Sequence, residues 1–460
     1  FKSIEGQNRI FITRIASRYI NLSLILIFAS LTIIFTKRSD SNYCQITGLI
    51  NRRLGATLAM NIGQIGEYRN PQPPTCRNRG FFASSMLMLQ KSPYSRNYMF
   101  DPKKPYYDLP TLPPHNPIES MALYKKLVPA SEALAKLSAT AEHLPNEAAL
   151  YQSVILLEAK ASSEIEQIVT TDGNLFSSKS SQQATDPLTK EVHRYAEAMQ
   201  LGWKSDRPLC TPLAEQICSA IKNHEMTVRK VPGTSLKRTS GETVYTPPDG
   251  EVPLRDLLDN LFAWMNAEDD IHPIIKAAIA HYQFESIHPF TDGNGRTGRI
   301  MVVLYLIEQK LLNTPALFLS GEILKGRESY YSLLQTTRET GDFIPYLVWF
   351  VDLIFKASIQ STIRANNVRG AMQKTKHDIR TLNPAMYSQD LVNLLFKGPL
   401  VFANQLVEHD VAGSISTAHS YLKDLEIAGI IFRSKKRFNR KVGYINIRLL
   451  DALSGEIDLS

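Results

Sequence analysis

The chain has 460 residues, of which 43% are hydrophobic and 21% are charged, which is enough for two or three domains that each bury a core. Its net charge of +8 comes from one end: residues 1–100 hold 13 lysines and arginines and 3 acidic residues, leaving 39 of the 52 basic and 41 of the 44 acidic residues for the remainder. This near-neutral body argues against a chain that binds nucleic acid over most of its surface. Four cysteines without C-x-x-C spacing predict neither a zinc site nor a disulfide framework, and they fit a reducing, cytoplasmic compartment.

The first hundred residues show no periodic pattern of a domain. Residues 20–36, INLSLILIFASLTIIFT, are about seventeen apolar or small residues between basic pairs, which is compatible with a short membrane anchor or an uncleaved signal. The alternative, which we favour, is a translated upstream sequence, with the true start near Met86, Met88 or Met99. A membrane-anchored, partner-binding protein is a hypothesis that depends wholly on residues 20–36.

From residue 101 the chain predicts helices in succession. A proline-rich lead-in at 101–117 is followed by apolar residues at helical spacing, and one turn-rich, β-branched segment at 229–251 predicts a β-hairpin flap. The predicted helices cover residues 118–143, 147–169, 187–201, 212–223, 254–268, 273–287, 296–311 and 343 to about 374. The predicted fold class is therefore mainly α, a helical bundle with a small flap.

The C-terminal residues predict a second, smaller unit. Residues 387–432 indicate three short helices and residues 433–450 two strands joined by a turn, an order that resembles a winged helix at 385–450. DNA contact is one interpretation, because basic side chains would decorate the wing: Arg433, Lys435, Lys436, Arg437, Arg440 and Lys441. We favour the other interpretation, a solvated basic hairpin on a domain used for packing, dimerisation or partner recognition.

The sequence HPFTDGNGRTGR, residues 288–299, has the composition of an anion-binding turn. Gly293 and Gly295 flank Asn294, so the backbone can adopt positive φ values and turn successive N–H groups toward one point. The helix predicted to follow directs its N-terminal dipole at the same point. Arg296 and Arg299 lie three residues apart and share a helix face, where they could bind phosphate oxygens.

Two further side chains give this turn a chemical capacity. Asp292 is the kind of hard oxygen ligand that Mg²⁺ takes singly beside phosphates, and His288 can accept a proton near neutral pH. Together they indicate a Mg²⁺-nucleotide site with its own base. On these residues alone the alternative is an ordinary tight turn, with solvated arginines and a histidine that caps the preceding helix.

These twelve residues match, position for position, the signature HxFx(D/E)GNGRxxR, so the chain resembles the Fic (filamentation induced by cAMP) family from about residue 101 to its C-terminus. The resemblance implies a Fic core at 226–375, with the flap at 229–251 and the catalytic loop at 288–299. It implies a preceding helical region at 101–225. The implied activity is transfer of AMP from ATP to a serine, threonine or tyrosine hydroxyl of a target protein, with release of pyrophosphate.

The resemblance also implies roles for individual residues. His288 would be the catalytic base, Asp292 would hold Mg²⁺, and the remaining nucleotide-binding positions would be Phe290, Gly293, Asn294, Gly295, Arg296, Arg299 and Tyr331. In this set the Asn294 side chain would help fix the α-phosphate and the two arginines would bind the β- and γ-phosphates. Phe290 is interpreted as a core anchor. Tyr331 resembles the position near adenine, and an ordinary core tyrosine is the open alternative.

The segment ASSEIEQIVTT, residues 161–171, resembles the inhibitory motif (S/T)xxxE(G/N) within a predicted inhibitory helix at 147–169. Ser162 and Glu166 occupy its fixed positions, whereas Gln167 departs from Gly or Asn. By the resemblance, Glu166 pairs with Arg299 and blocks the γ-phosphate position, and it could also position a water for removal of AMP. The alternative is a solvated glutamate on an amphipathic helix.

Two classes of function remain open at this point. The first is a self-inhibited protein adenylyltransferase that uses ATP and Mg²⁺, with a homodimer left open. The second is a winged-helix DNA-binding regulator whose Fic core senses nucleotide. The unbroken set of reactive residues favours the first, because a pure sensor has no need of His288.

Overall fold

The computed structural model describes residues 100–116, 118–142, 147–171, 175, 186–238, 240–438 and 441–454. The apolar run predicted at 20–36 lies outside these residues. No helix in the described ranges is both long and apolar enough to cross a membrane.

Before the flap, the described residues include the helices α1 (Met121–Glu142), α2 (Glu147–Ile165), α3 (Pro187–Trp203) and α4 (Thr211–Lys222). Helix α1 begins three residues later than predicted, because the Ser120 hydroxyl accepts the Leu123 N–H at 3.1 Å and caps the helix there. Asp186 caps α3 in the same way, accepting the Thr189 N–H at 2.8 Å. Helix α2 packs on α3, which brings the predicted inhibitory segment to the helices described next.

The central part of the fold comprises β1 (Leu236–Lys237), β2 (Thr243–Tyr245), α5 (Glu251–Asn266), α6 (Pro273–Ile287) and α7 (Asn294–Glu308). The two strands are antiparallel, so the predicted flap is present as a short hairpin. In α6 every residue from Ile274 to Ile287 is buried, as expected of a helix that is packed on all sides. Helices α6 and α7 pack against each other, and the loop between them contains the predicted anion-binding turn.

Three helices complete the first core: α8 (Leu319–Lys325), α9 (Arg327–Thr340) and α10 (Ile344–Leu382). Helix α10 packs along α1 and runs past the predicted end near residue 374. The reason is that α10 belongs to two cores: Leu347 and Ile354 are buried in the first, and Met372 and Ile379 are buried in a second. A rigid helix therefore joins the two.

The second core is built by α11 (Gln389–Phe396), β3 (Leu400–Val401), α12 (Ala403–Glu408), α13 (Ile415–Ile427), β4 (Phe432–Phe438), β5 (Lys441–Ile445) and α14 (Ile447–Ser454). The strands form an antiparallel sheet in the order β3-β5-β4. Three helices followed by two strands agree with the prediction. Residues 447–450 were predicted as strand, and this is wrong: the buried Asn446 side chain accepts the Leu449 N–H at 3.2 Å and starts a helix.

Helix α2 ends at Ile165, four residues before its predicted end at 169, in a Schellman motif. The Ile168 N–H donates to the Ser163 carbonyl and the Gln167 N–H donates to the Glu164 carbonyl, both at 2.9 Å. Gln167 occupies the left-handed position of this motif, with φ of 65°. That position favours Gly or Asn, which gives a conformational reason for the last position of the motif (S/T)xxxE(G/N).

We predict that Gln167→Gly stabilises the end of α2. A left-handed residue with a side chain costs about 1–2 kcal/mol, and the extra freedom of glycine in the unfolded chain offsets part of this, so a net gain of about 0.5–1 kcal/mol is expected. Hydrogen exchange of the Gln167 and Ile168 amides, followed by mass spectrometry, should slow about two- to fivefold.

Two variants control this prediction. Gln167→Val should accelerate the same exchange, because a β-branched residue tolerates positive φ poorly. Lys310→Gly removes a side chain at another left-handed position, φ 56°, and should leave exchange at residues 167 and 168 unchanged. Equal exchange in the Gly and Val variants would show that the conformation of Gln167 does not limit the stability of this helix end.

Candidate active site

The loop between α6 and α7 is closed by its own backbone and by one side chain. The His288 N–H donates to the Phe284 carbonyl at 2.9 Å, and His288 has a left-handed φ of 49°, so α6 stops there. The buried Asn294 side chain accepts the Phe290 N–H and donates to the Phe290 carbonyl, both at 2.8 Å. Both polar groups of this amide therefore stabilise the conformation of the loop.

The two glycines of the loop serve different purposes. Gly293 has φ of 85°, as predicted. Gly295 lies within α7 and has no positive φ, so the prediction for it is wrong. Its requirement is space: a Cβ at Gly295 would lie 2.4 Å from Glu166 Oε1 and 2.9 Å from Arg299 Nη1.

Arg299 is buried and held by α2. Its Nε donates to Ser162 Oγ at 2.8 Å, and its Nη2 donates to the Ser162 carbonyl at 3.0 Å and to Glu166 Oε1 at 2.9 Å. Its side chain is 1% exposed, whereas that of Glu166 is 34% exposed. The pair predicted from the sequence is therefore present, and neither a solvated arginine nor a fully solvated glutamate describes it. Glu166 reaches Arg299 from the turn after α2 and not from within the helix.

Arg296 is equally buried and has a partner that the sequence did not indicate. Its Nη1 donates to Glu191 Oε1 on α3 at 2.5 Å, and its Nη2 lies 3.7 Å from Asp292 Oδ1. Burial raises the pKa of Glu191, but Arg296 and Lys222 outweigh it and hold that pKa below its usual value. Glu191 is thus ionised and forms an ion pair with Arg296.

Asp292 is the most exposed carboxylate of the site, with a side chain that is 60% exposed. Its Oδ2 accepts from Lys222 Nζ at 2.5 Å and its Oδ1 accepts from the Gly293 N–H at 2.6 Å. Burial raises its pKa, and the stronger combined effect of Lys222, Arg296 and the Gly293 N–H lowers it, so the group is ionised at neutral pH.

This donor set is compatible with Mg²⁺ only when phosphates are also present. The described residues contain no cluster of three or more metal-ligating side chains. A single carboxylate beside phosphates is, however, a common way for proteins to bind Mg²⁺, since the ion keeps several waters. Asp292 fits that pattern.

His288 is neutral at physiological pH. Burial, followed by the nearby guanidinium groups of Arg229 and Arg338, lowers its pKa to about 4. Its Nδ1 is buried and makes no hydrogen bond within the described part of the chain. The ring is therefore in its base form, with a lone pair that no protein donor uses. It also caps α6, so the alternative predicted from sequence is correct for its backbone.

Arg229 fastens the flap to this loop. Its backbone N–H donates to the Pro289 carbonyl, and its Nε donates to the His288 carbonyl, both at 2.9 Å. Its Nη1 reaches Asp249, at the other end of the flap, at 2.7 Å. Arg229 therefore connects both ends of the flap to the loop.

The last two predicted site residues differ in burial. Phe290 is fully buried and packs near Phe284, with ring centroids 6.2 Å apart, which agrees with a core anchor. Tyr331 on α9 is 43% exposed, whereas its neighbour Tyr330 is buried and bonds His281 at 2.8 Å. The core tyrosine is therefore Tyr330, and Tyr331 is free to face a ligand.

Sequence reasoning missed two buried carboxyl groups near Arg299. Glu158 lies one turn before Ser162 on α2 and accepts the Ser320 N–H at 2.8 Å; burial raises its pKa to about 7. Burial also raises the pKa of Glu285 on α6 to about 7, and the Oε1 atom of this residue has no hydrogen-bond partner among the described residues. The helical spacing of residues 158, 162 and 166 was the only available signal for either.

Three family profiles match the chain. They are the Fic/DOC family N-terminal region at residues 124–204, the Fic/DOC family at 214–306, and the C-terminal domain of SoFic-like protein adenylyltransferases at 371–449. The second match includes the flap and the loop described above. The third lies mostly in the second core.

Relatives of known name match part of the chain. Protein adenylyltransferase Fic of Culex quinquefasciatus is 34% identical over 127 residues, which are 27% of this chain and 24% of that protein. A probable protein adenylyltransferase of Aquifex aeolicus is 39% identical over 99 residues, 22% of this chain and 28% of that protein. The match thus spans about a quarter of each relative's length.

Among solved structures, a Fic family protein from Desulfovibrio desulfuricans is similar over 72% of this chain and 98% of that chain, with 19% identity and a TM-score of 0.46. Three profiles of one family in consecutive order, together with the relatives, establish that the chain belongs to the Fic family.

Proposed function

We propose that this chain is a protein adenylyltransferase, which transfers AMP from ATP to a hydroxyl group of a target protein. The observation that carries the proposal is that a neutral histidine, a glycine-rich helix N-terminus and two buried arginines meet at one loop. The relatives named protein adenylyltransferase support the same activity. The alternative of a DNA-binding nucleotide sensor does not account for the His288 base.

Each residue has a task in this reaction. His288 accepts the proton of the attacking hydroxyl, and a base of this kind contributes about 10²–10⁴ in rate. The backbone N–H groups at the start of α7, with Arg296, bind the phosphates and orient the α-phosphorus for in-line attack. Mg²⁺, held by Asp292 and the phosphates, would neutralise charge on the leaving pyrophosphate.

In this conformation the chain is in an inhibited state. Glu166 Oε1 lies at 2.9 Å from Arg299 Nη2, where a phosphate oxygen would otherwise accept the hydrogen bond. A carboxylate and a γ-phosphate are both anions, so they compete for one guanidinium group. Release of Glu166 is therefore a requirement for productive ATP binding.

Replacement of Glu166 should activate the chain. We expect Glu166→Ala to raise incorporation of label from α-³²P-ATP into lysate proteins or into the chain itself. The increase should be at least about tenfold, because ATP no longer competes with the carboxylate for Arg299. Adding His288→Ala should reduce that label by about 10²–10⁴.

Two controls make this result specific. Glu164→Ala removes a carboxylate outside the Arg299 pair and should leave labelling at the wild-type level. Label from γ-³²P-ATP should stay absent from the purified Glu166→Ala chain, because the γ-phosphate leaves with pyrophosphate. No α-label with either the wild type or Glu166→Ala would overturn the proposal.

In the pH profile of AMP transfer, the loss of activity on the acid side should occur at an unusually low pH. A base acts when deprotonated, and a pKa depressed to about 4 keeps His288 deprotonated at pH values where an ordinary histidine is already protonated. In the Glu166→Ala form, transfer at saturating ATP should stay nearly level from pH 7.5 to about 5 and fall only below it. Half-loss near pH 6.5 would contradict the assignment of a buried, neutral base.

Several finer points stay predictions. A contact of Tyr331 with adenine, DNA contact by the basic strands β4 and β5, a winged-helix assignment for the second core and a homodimer each require their own measurement. The same holds for a cytoplasmic location and for removal of AMP by the glutamate-assisted route.

A further inference from the structure

Lys222 is the last residue of α4, and its ammonium group lies against the carboxylate that would hold Mg²⁺. Its Nζ donates to Asp292 Oδ2 at 2.5 Å, and its side chain is 18% exposed. One turn earlier on the same face, Cys218 Sγ donates to the Asp292 carbonyl at 3.3 Å. Helix α4 therefore holds both the backbone and the side chain of Asp292.

The same ammonium group has a second acceptor within reach. Lys222 Nζ is 3.4 Å from Glu191 Oε1, the oxygen that also binds Arg296. Glu191 is less exposed than Asp292, at 19% against 60% of the side chain. The lysine thus lies between a carboxylate that faces solvent and one that faces the protein.

Both Asp292 oxygens already accept a hydrogen bond in this structure. Oδ1 accepts the Gly293 N–H at 2.6 Å and Oδ2 accepts the lysine. A divalent ion that shares this carboxylate with the ammonium group would be repelled by it. Metal binding therefore favours movement of the ammonium group away from Oδ2, and Glu191 is the acceptor beside it.

We propose that the Lys222 ammonium group takes the place of the metal at Asp292 when no nucleotide is bound. When a Mg²⁺-nucleotide binds, the ammonium group leaves Asp292 and pairs with Glu191 and the phosphates. The inference rests on the proposed function and adds Lys222 and Glu191 as positioning residues. It explains why a lysine is placed at a carboxylate that must bind another cation, since the ammonium group holds the Asp292 side chain in position beforehand. It also makes metal binding depend on the arrival of phosphates that can attract the lysine.

The test is the affinity of Mn²⁺, followed by electron paramagnetic resonance, for the Glu166→Ala chain saturated with α,β-methylene ATP. Lys222→Met should tighten Mn²⁺ binding about tenfold, because the competing cation is gone. Glu191→Gln should weaken it about tenfold, because the lysine then lacks the acceptor carboxylate beside Asp292 and competes more strongly with the metal. Opposite shifts from two neighbouring variants are not expected from a general loss of structure.

Two controls complete the experiment. Lys222→Arg keeps the charge and should keep the Mn²⁺ affinity near that of the parent. Lys126→Met removes an ion pair between α1 and α10, in which Lys126 Nζ lies 2.7 Å from Asp352 Oδ1. This variant should have no effect on Mn²⁺ affinity. Unchanged or weaker Mn²⁺ binding in Lys222→Met would overturn the inference, as would an absence of bound Mn²⁺ in every form.

The binding measurement is independent of transfer. If the two variants shift Mn²⁺ affinity in opposite directions but the Glu166→Ala chain transfers no α-label, the proposed function fails and the inference about Lys222 stands. If α-label is transferred and the Mn²⁺ affinities do not change, the inference fails and the function stands.

Discussion

A buried guanidinium group determines how the N-terminal helices must dock. Arg299 is 1% exposed, and a charge withdrawn from water needs an anion and full hydrogen bonding near it. Ser162 on α2 and Glu166 in the turn after it supply these, more than 130 residues earlier in the chain. A phosphate can supply them equally well, so under the proposed function the contact that stabilises the structure without nucleotide is the one that the substrate would replace. Stability without nucleotide and inhibition would then have one physical origin.

Around this pair the site is nearly balanced in charge before any ligand arrives. Arg296, Lys222, Glu191 and Asp292 alternate in sign over contacts of 2.5–3.7 Å. Such alternation lets basic groups that bind phosphates remain buried and ordered without a bound anion. The groups are then already oriented when the nucleotide enters, which reduces the reorganisation that binding requires.

How much could be predicted from the sequence depended on how local each interaction is. The loop at 288–299, the helix before it and the Arg299 partners follow from short motifs and helical spacing. Glu191 and Lys222 did not, since they lie 105 and 70 residues from the residues they contact and no periodicity marks them. The role of Gly295 was misjudged for a related reason, because it depends on the Glu166 side chain from a distant part of the chain. The left-handed conformation of Gln167 was not predicted, because it depends on where α2 ends.

The space at Gly295 restricts how this site can change during evolution. Because a Cβ there would lie 2.4 Å from Glu166 Oε1, any side chain at 295 requires the Glu166 carboxylate to move. Under the proposed function the same side chain would also enter the region of the phosphates. A substitution at this glycine would therefore disturb substrate and inhibitor together, whereas a substitution of Glu166 removes the inhibitory carboxylate alone.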